Sequence, residues 1–125
     1  MPIDATLPYD DQNIFAKILR GEIPNRTVYE DEWALAFHDI VPQAPVHVLV
    51  IPKGAYVSWD DFSARASEAE IAGFVRAVGK IARDLDLVEP GYRLLVNLGQ
   101  HGHQEVPHLH VHLFGGRPLG PMLAR

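Results

Sequence analysis

A chain of 125 residues has room for one domain, and 47% hydrophobic against 22% charged residues is the balance of a soluble chain with a real core. The absence of cysteine excludes a disulfide framework and a cysteine zinc site, and suits a reducing compartment such as the cytoplasm. A net charge of −5 with no Lys/Arg cluster argues against nucleic acid as the main partner, while a small anion held by local donors stays allowed.

The first residues, Met1 to Asn13, are polar and acidic, without the basic and apolar regions of a signal peptide. Asp11 is the predicted cap of a short helix in which Ile14, Phe15, Ile18 and Leu19 share a face, stopped by Gly21 and Pro24. Arg26 to Glu30 and Trp33 to Asp39 read as two short strands around an acidic turn. A loop between Pro42 and Pro45 leads into the apolar strand Val46 to Ile51, which Pro52 closes. Ser67 and Glu70 form a capping-box signature, and Ile71, Phe74, Val75, Val78, Ile81, Ala82 and Leu85 then make one apolar stripe of a long helix. Pro90 and Gly91 break the chain before a strand from Tyr92 to Leu98. A Gly- and His-rich loop, Gly99 to Pro107, precedes a last strand from His108 to Phe114, ended by Gly115 and Gly116.

The order is helix, three strands, long helix, two strands. With one long and one short helix among short strands, it predicts an α+β domain on a mostly antiparallel five-stranded sheet. Residues 1–125 read as a single domain with tails at 1–12 and 117–125, since neither linker nor repeat divides them. No apolar run approaches the roughly 18 residues that cross a bilayer, so no membrane partner is expected.

The last strand carries the chemistry. His108-Leu-His110-Val-His112-Leu alternates strictly, so a period of two sends Leu109, Val111 and Leu113 to a core and the three histidines to the opposite face. Three imidazoles in register are hard to explain as packing, because each buried ring needs partners for two nitrogens. Metal chelation is one reading, with Glu105 or His47 as a further ligand; strand rise, however, separates the outer Cα atoms by roughly 13 Å, too far for three rings to close on one ion. The other is nucleophilic catalysis at phosphorus, in which one neutral imidazole attacks while a neighbour carries a proton. It requires neither metal nor other cofactor.

On the His108-x-His110-x-His112-Leu-Phe-Gly-Gly motif the chain resembles the histidine triad (HIT) family. The segments Asn13-Ile-Phe-Ala-Lys-Ile-Leu-Arg-Gly-Glu-Ile-Pro, Ala36-Phe-His-Asp-Ile-Val-Pro-Gln-Ala-Pro and His47-Val-Leu-Val-Ile-Pro-Lys resemble its purine-nucleotide-binding branch, over roughly Ile14 to Leu123. The resemblance implies a HIT-like fold and hydrolysis of purine nucleoside 5′-phosphoramidates through a nucleotidyl-His110 intermediate. It implies that His112 contacts the phosphate and assists the leaving group, that His108 supports the nucleophilic ring, and that His47 completes the group. Asp39 would hold the ribose hydroxyls; Ile14, Phe15, Phe37 and Ile40 would wall the base pocket. Asn97, Gln104 and the amides from His103 through Glu105 to Val106 would hold the phosphate side. A homodimer is implied too, with the long helix and the strand from Tyr92 joining two sheets into one of ten strands. Two departures stand out: Glu105 replaces a serine near the departing amine, and His103 replaces a glycine, at some cost if its φ is positive. Cleavage of dinucleoside polyphosphates, nucleotide sensing with little turnover, and metal-dependent hydrolysis remain the alternatives.

Overall fold

The computed structural model describes residues 1–124. In chain order it contains α1 (Ile14–Leu19), β1 (Thr27–Glu30), β2 (Ala34–His38), β3 (Val46–Pro52), α2 (Trp59–Arg65), α3 (Glu68–Asp84), β4 (Arg93–Leu95) and β5 (Val111–Gly115). The strands form one five-stranded sheet in the order β1-β2-β3-β5-β4, every neighbouring pair antiparallel. This is the predicted α+β class.

The two faces of the sheet are covered differently. Alternate residues Ala34, Ala36, Val48, Val50, Val111 and Leu113 pack with Phe74, Ala77, Val78, Ile81 and Ala82 of α3 and Phe62 of α2. Burying a side chain such as Phe74 or Ile81, each 1% exposed, contributes about 1.5–3 kcal/mol. On the opposite face Leu35, Phe37, Leu49 and Ile51 pack under Phe15 and Ile18 of α1. That short helix leaves the rest of its face open, and His47, His110 and His112 lie there.

Caps fix the helices. The α3 capping box forms as predicted: the Ser67 hydroxyl accepts from Glu70 N, and the Glu70 carboxylate accepts from Ser67 N. The cap of α1 is Asn13 rather than Asp11; its side-chain oxygen accepts from Ala16 N at 2.9 Å. A third helix, α2, was not predicted, although Ser58 caps it by accepting from Asp61 N.

The last two strands also differ from expectation. β5 begins at Val111, not His108, and continues through Gly115. Val111 pairs with Val50, so extending the register would set His110 against Ile51 and then Leu109 against Pro52. A proline has no N–H to give, and the ladder stops. Leu109 N instead donates to Tyr56 O at 2.8 Å. β4 is correspondingly short, its pairing with β5 ending at Leu95 opposite His112, whereas the pattern predicts a strand to Leu98.

Candidate active site

Four imidazoles meet at the end of this open face, and their partners fix where each proton sits. The His108 ring is fully buried and spans two oxygens: Nε2 lies 2.9 Å from Pro52 O and Nδ1 2.6 Å from the Tyr9 hydroxyl. A carbonyl only accepts, so Nε2 carries the hydrogen and the tyrosine donates to Nδ1. The same logic applies to His110, whose Nδ1 donates to the His108 carbonyl at 2.8 Å, leaving a lone pair on Nε2.

His47 and His112 form a second chain. Gln43 N donates to His47 Nδ1 at 3.1 Å, so the His47 proton is on Nε2, 2.9 Å from His112 Nδ1. His112 Nδ1 is then an acceptor, and the neutral ring carries its hydrogen on Nε2. One site thus holds a bare ring nitrogen on His110 and an N–H on His112, with ring centroids 5.1 Å apart.

Burial keeps these rings neutral. It pushes His108 and His112 each down to about 4, helped in both cases by the neighbouring His110 and, for His112, by His47. Burial also lowers His110, against the opposing pull of the His108 carbonyl, Asp39 and Glu105. It lowers His47 in the same way, with Asp39 opposing.

His110 and His112 open onto a cavity of about 350 Å³, shared with Phe15, Asp39, Val41, Gln43, Leu49, Asn97, His103, Glu105 and Val106. Phe15 presents its ring edge-to-face to His110, with centroids 5.0 Å apart. Phe114 lies parallel to His112, their planes within 2°, and closes against His47 at 4.2 Å. Asp39 is held by Val41 N at 2.8 Å and stands 3.4 Å from His47 Nε2. Among the described residues Asp39, His47 and His112 also offer ligand atoms that all lie within 4.8 Å of one another, the geometry of a possible metal site.

The structure therefore brings Phe15, Asp39, Asn97, His103, Glu105, Val106, His110 and His112 together around one cavity, with His47 behind them. It places the other anticipated residues elsewhere. His108 is sealed off, so the row of three open imidazoles that alternation predicts is two open rings and one buried support, acting through its carbonyl. Gln104 is 1% exposed and turned inward: it donates to Val57 O and Val106 O and accepts from Gly99 N, tying the 99–107 loop together. Phe37 is buried beneath Phe15. Ile14 and Ile40 are exposed and do not line the cavity. Val41, Gln43 and Leu49 line it without having been anticipated; only the proximity of Val41 and Gln43 to Asp39 in the chain hinted at them. His103 does adopt a positive φ of 60°, the strained backbone that a glycine would take without cost, and its ring pairs with Glu105 at 2.9 Å.

Comparison with known proteins gives concordant results. Residues 20–119 match the HIT domain family model. The chain is 67% identical to a 13.2 kDa HIT-like protein of Azospirillum brasilense over 94% of its own length and 96% of the relative's. It is 48% identical to the purine nucleoside phosphoramidase of Escherichia coli strain K12, covering 91% of this chain and 95% of that one. Among solved structures, a HIT family hydrolase from Clostridium thermocellum superposes with a TM-score of 0.82 at 40% identity, covering 92% of this chain and 99% of that one.

Proposed function

This chain belongs to the HIT family, and from that premise we propose that it is a hydrolase of purine nucleoside 5′-phosphoramidates, acting through a covalent nucleotidyl-histidine. The observation that carries the proposal is the pair of proton positions: a nitrogen lone pair on His110 and an N–H on His112, in one cavity with the Asp39 carboxylate. The E. coli relative's name supports the choice of substrate class.

In this reading the purine lies against Phe15, Val41, Leu49 and Val106, and Asp39 accepts hydrogen bonds from the ribose hydroxyls. His110 Nε2 attacks the α-phosphorus and the P–N bond breaks. The anionic phosphate favours one extra proton on the His112–His47 pair, and the departing nitrogen takes that proton through Nε2 of His112, leaving the pair neutral. Water then replaces the histidine at phosphorus and returns a proton to His112, so the net products are a nucleoside monophosphate and a free amine. Asn97 and the loop amides of His103 to Val106 hold the phosphate oxygens, and Glu105 stands where the amine leaves. The chemistry runs on imidazoles and asks for no metal.

Assay on an adenosine 5′-phosphoramidate is the test. His110→Ala should lose turnover and still bind AMP, and mass spectrometry of quenched wild-type protein should find a nucleotidyl group on His110. Retained turnover in His110→Ala would end the assignment. Faster cleavage of a diadenosine polyphosphate would favour the polyphosphate reading, and tight AMP binding without any hydrolysis would favour a sensing role. Turnover that a chelator abolishes and zinc restores would support the metal-dependent reading suggested by the convergence of Asp39, His47 and His112.

We propose further that the protein is a cytoplasmic homodimer. No helix among the described residues is long and apolar enough to cross a membrane. β4 is an edge strand, and beside it Val75 and Leu94, about half exposed, border an apolar groove between α3 and the sheet. Sedimentation of the wild type and of Leu94→Arg tests this: a monomeric wild type would refute it.

A further inference from the structure

Outside the sheet ladder, the backbone of His108 to His110 needs other anchors, and three are visible. Leu109 N donates to Tyr56 O, the His108 ring donates to Pro52 O, and the Tyr9 hydroxyl donates to the other nitrogen of the same ring. The first two come from segments adjoining the sheet. The third comes from the N-terminal segment, 99 residues away in sequence.

That segment is not a loose tail. Ile3 N donates to Gln104 O at 2.8 Å, which fastens it to the loop that borders the cavity. Tyr9 packs edge-to-face on His108 with centroids 5.6 Å apart. It does not line the cavity, so it has no means of touching a nucleotide there.

We infer that Tyr9 is a positioning residue for the nucleophile. Its hydroxyl holds Nδ1 of the His108 ring while Pro52 O holds Nε2, and the ring pinned at both nitrogens fixes the His108 carbonyl, which in turn holds the proton of His110 on Nδ1 and leaves Nε2 free to attack. The inference rests on the reading of His110 as nucleophile. Burial raises the Tyr9 hydroxyl above its usual value, so it remains a donor at every pH at which the site works. The bond runs from a part-buried donor to a fully buried acceptor, and a Tyr9→Phe chain keeps the ring packing while removing only the donor. The free lone pair on His108 Nδ1 then lets that ring tilt or take up a water, and the carbonyl it steadies moves with it.

The test compares wild type with Tyr9→Phe by steady-state kinetics on an adenosine phosphoramidate and by nitrogen-15 NMR of the imidazoles in the resting protein. We expect kcat to fall roughly three- to tenfold, the scale of one lost neutral hydrogen bond, with KM unchanged. We also expect the ring-nitrogen shifts of His110 to move toward a mixture of tautomers. Unchanged kcat, or a change in KM alone, would overturn the inference, since a merely structural strap would act on binding or on nothing. If the wild type showed no phosphoramidase turnover, the proposed function would fall on its own. The nitrogen shifts would still decide the role of Tyr9: altered His110 shifts in Tyr9→Phe support it, and identical shifts refute it.

Discussion

Acidification should unfold this protein earlier than its carboxylates require, and His108 supplies a measurable share of the effect. Its imidazole is fully buried and neutral, with a folded value of about 4 against an ordinary 6.5. Because the folded value is the lower one, the unfolded chain takes up the proton first, and stability falls with pH between 6.5 and 4 and levels off below. Each unit of difference corresponds to 1.36 kcal/mol, so the whole window is worth about 3 kcal/mol, of which about 2 kcal/mol is already lost at pH 5. Asp31, Asp61 and Glu70 are also perturbed, but they are lowered below ordinary carboxylate values, so their stabilisation is lost only at more acid pH. The interval from pH 8 to 5 therefore belongs to the histidines. Urea denaturation at fixed protein concentration, at pH 8, 6.5 and 5, on wild type and His108→Gln isolates the one ring. The variant will be less stable throughout, but it should lose about 2 kcal/mol less between pH 8 and 5. Equal losses in the two chains would refute the claim that His108 is a neutral, unhydrated ring.

Two further substitutions separate packing from the site. Gly73 faces the Trp33 indole, and a Cβ there would overlap three atoms of a rigid ring; Gly73→Ala gains up to about 1 kcal/mol of helix propensity and loses about 1–3 kcal/mol to overpacking, so urea denaturation should show a net loss. Gln104→Ala strands the Val57 and Val106 carbonyls and the Gly99 amide, which should cost about 1–3 kcal/mol and, by loosening the 99–107 loop, raise KM for a nucleotide more than it lowers kcat.

How much of this was legible in the sequence depends on the range over which each feature is decided. The alternation around His110 correctly sorted Leu109, Val111 and Leu113 into the core, because a period of two is a local property of extended backbone, whether or not it is laddered. The Ser67 and Glu70 box was legible for the same reason. The helix after Ser58 was written in the same code, Ser-x-x-Asp, but lacked a long apolar stripe to draw attention to it. The start of β5 was not legible, because the residue that ends the ladder, Pro52, sits in another strand. Nor was the sealing of His108, whose partner Tyr9 lies at the far end of the chain. Ile14 and Ile40 were assigned to the pocket on resemblance, yet both project to solvent while Leu49, on a neighbouring strand of the sheet, takes a place in the wall. Cross-strand neighbours of this kind follow from register, which only the fold supplies.

Where the ladder runs out at Pro52, the architecture changes hands. Up to Val111, position is set by main-chain pairing that scarcely depends on which side chains are present. Across His108 to His110 it is set largely by individual side-chain contacts, each of which a single substitution can retune while the sheet stays as it is. The reactive ring thus sits at the border between a rigid frame and an adjustable mount. Changes in that mount can shift the reactive ring without shifting the register of the strands.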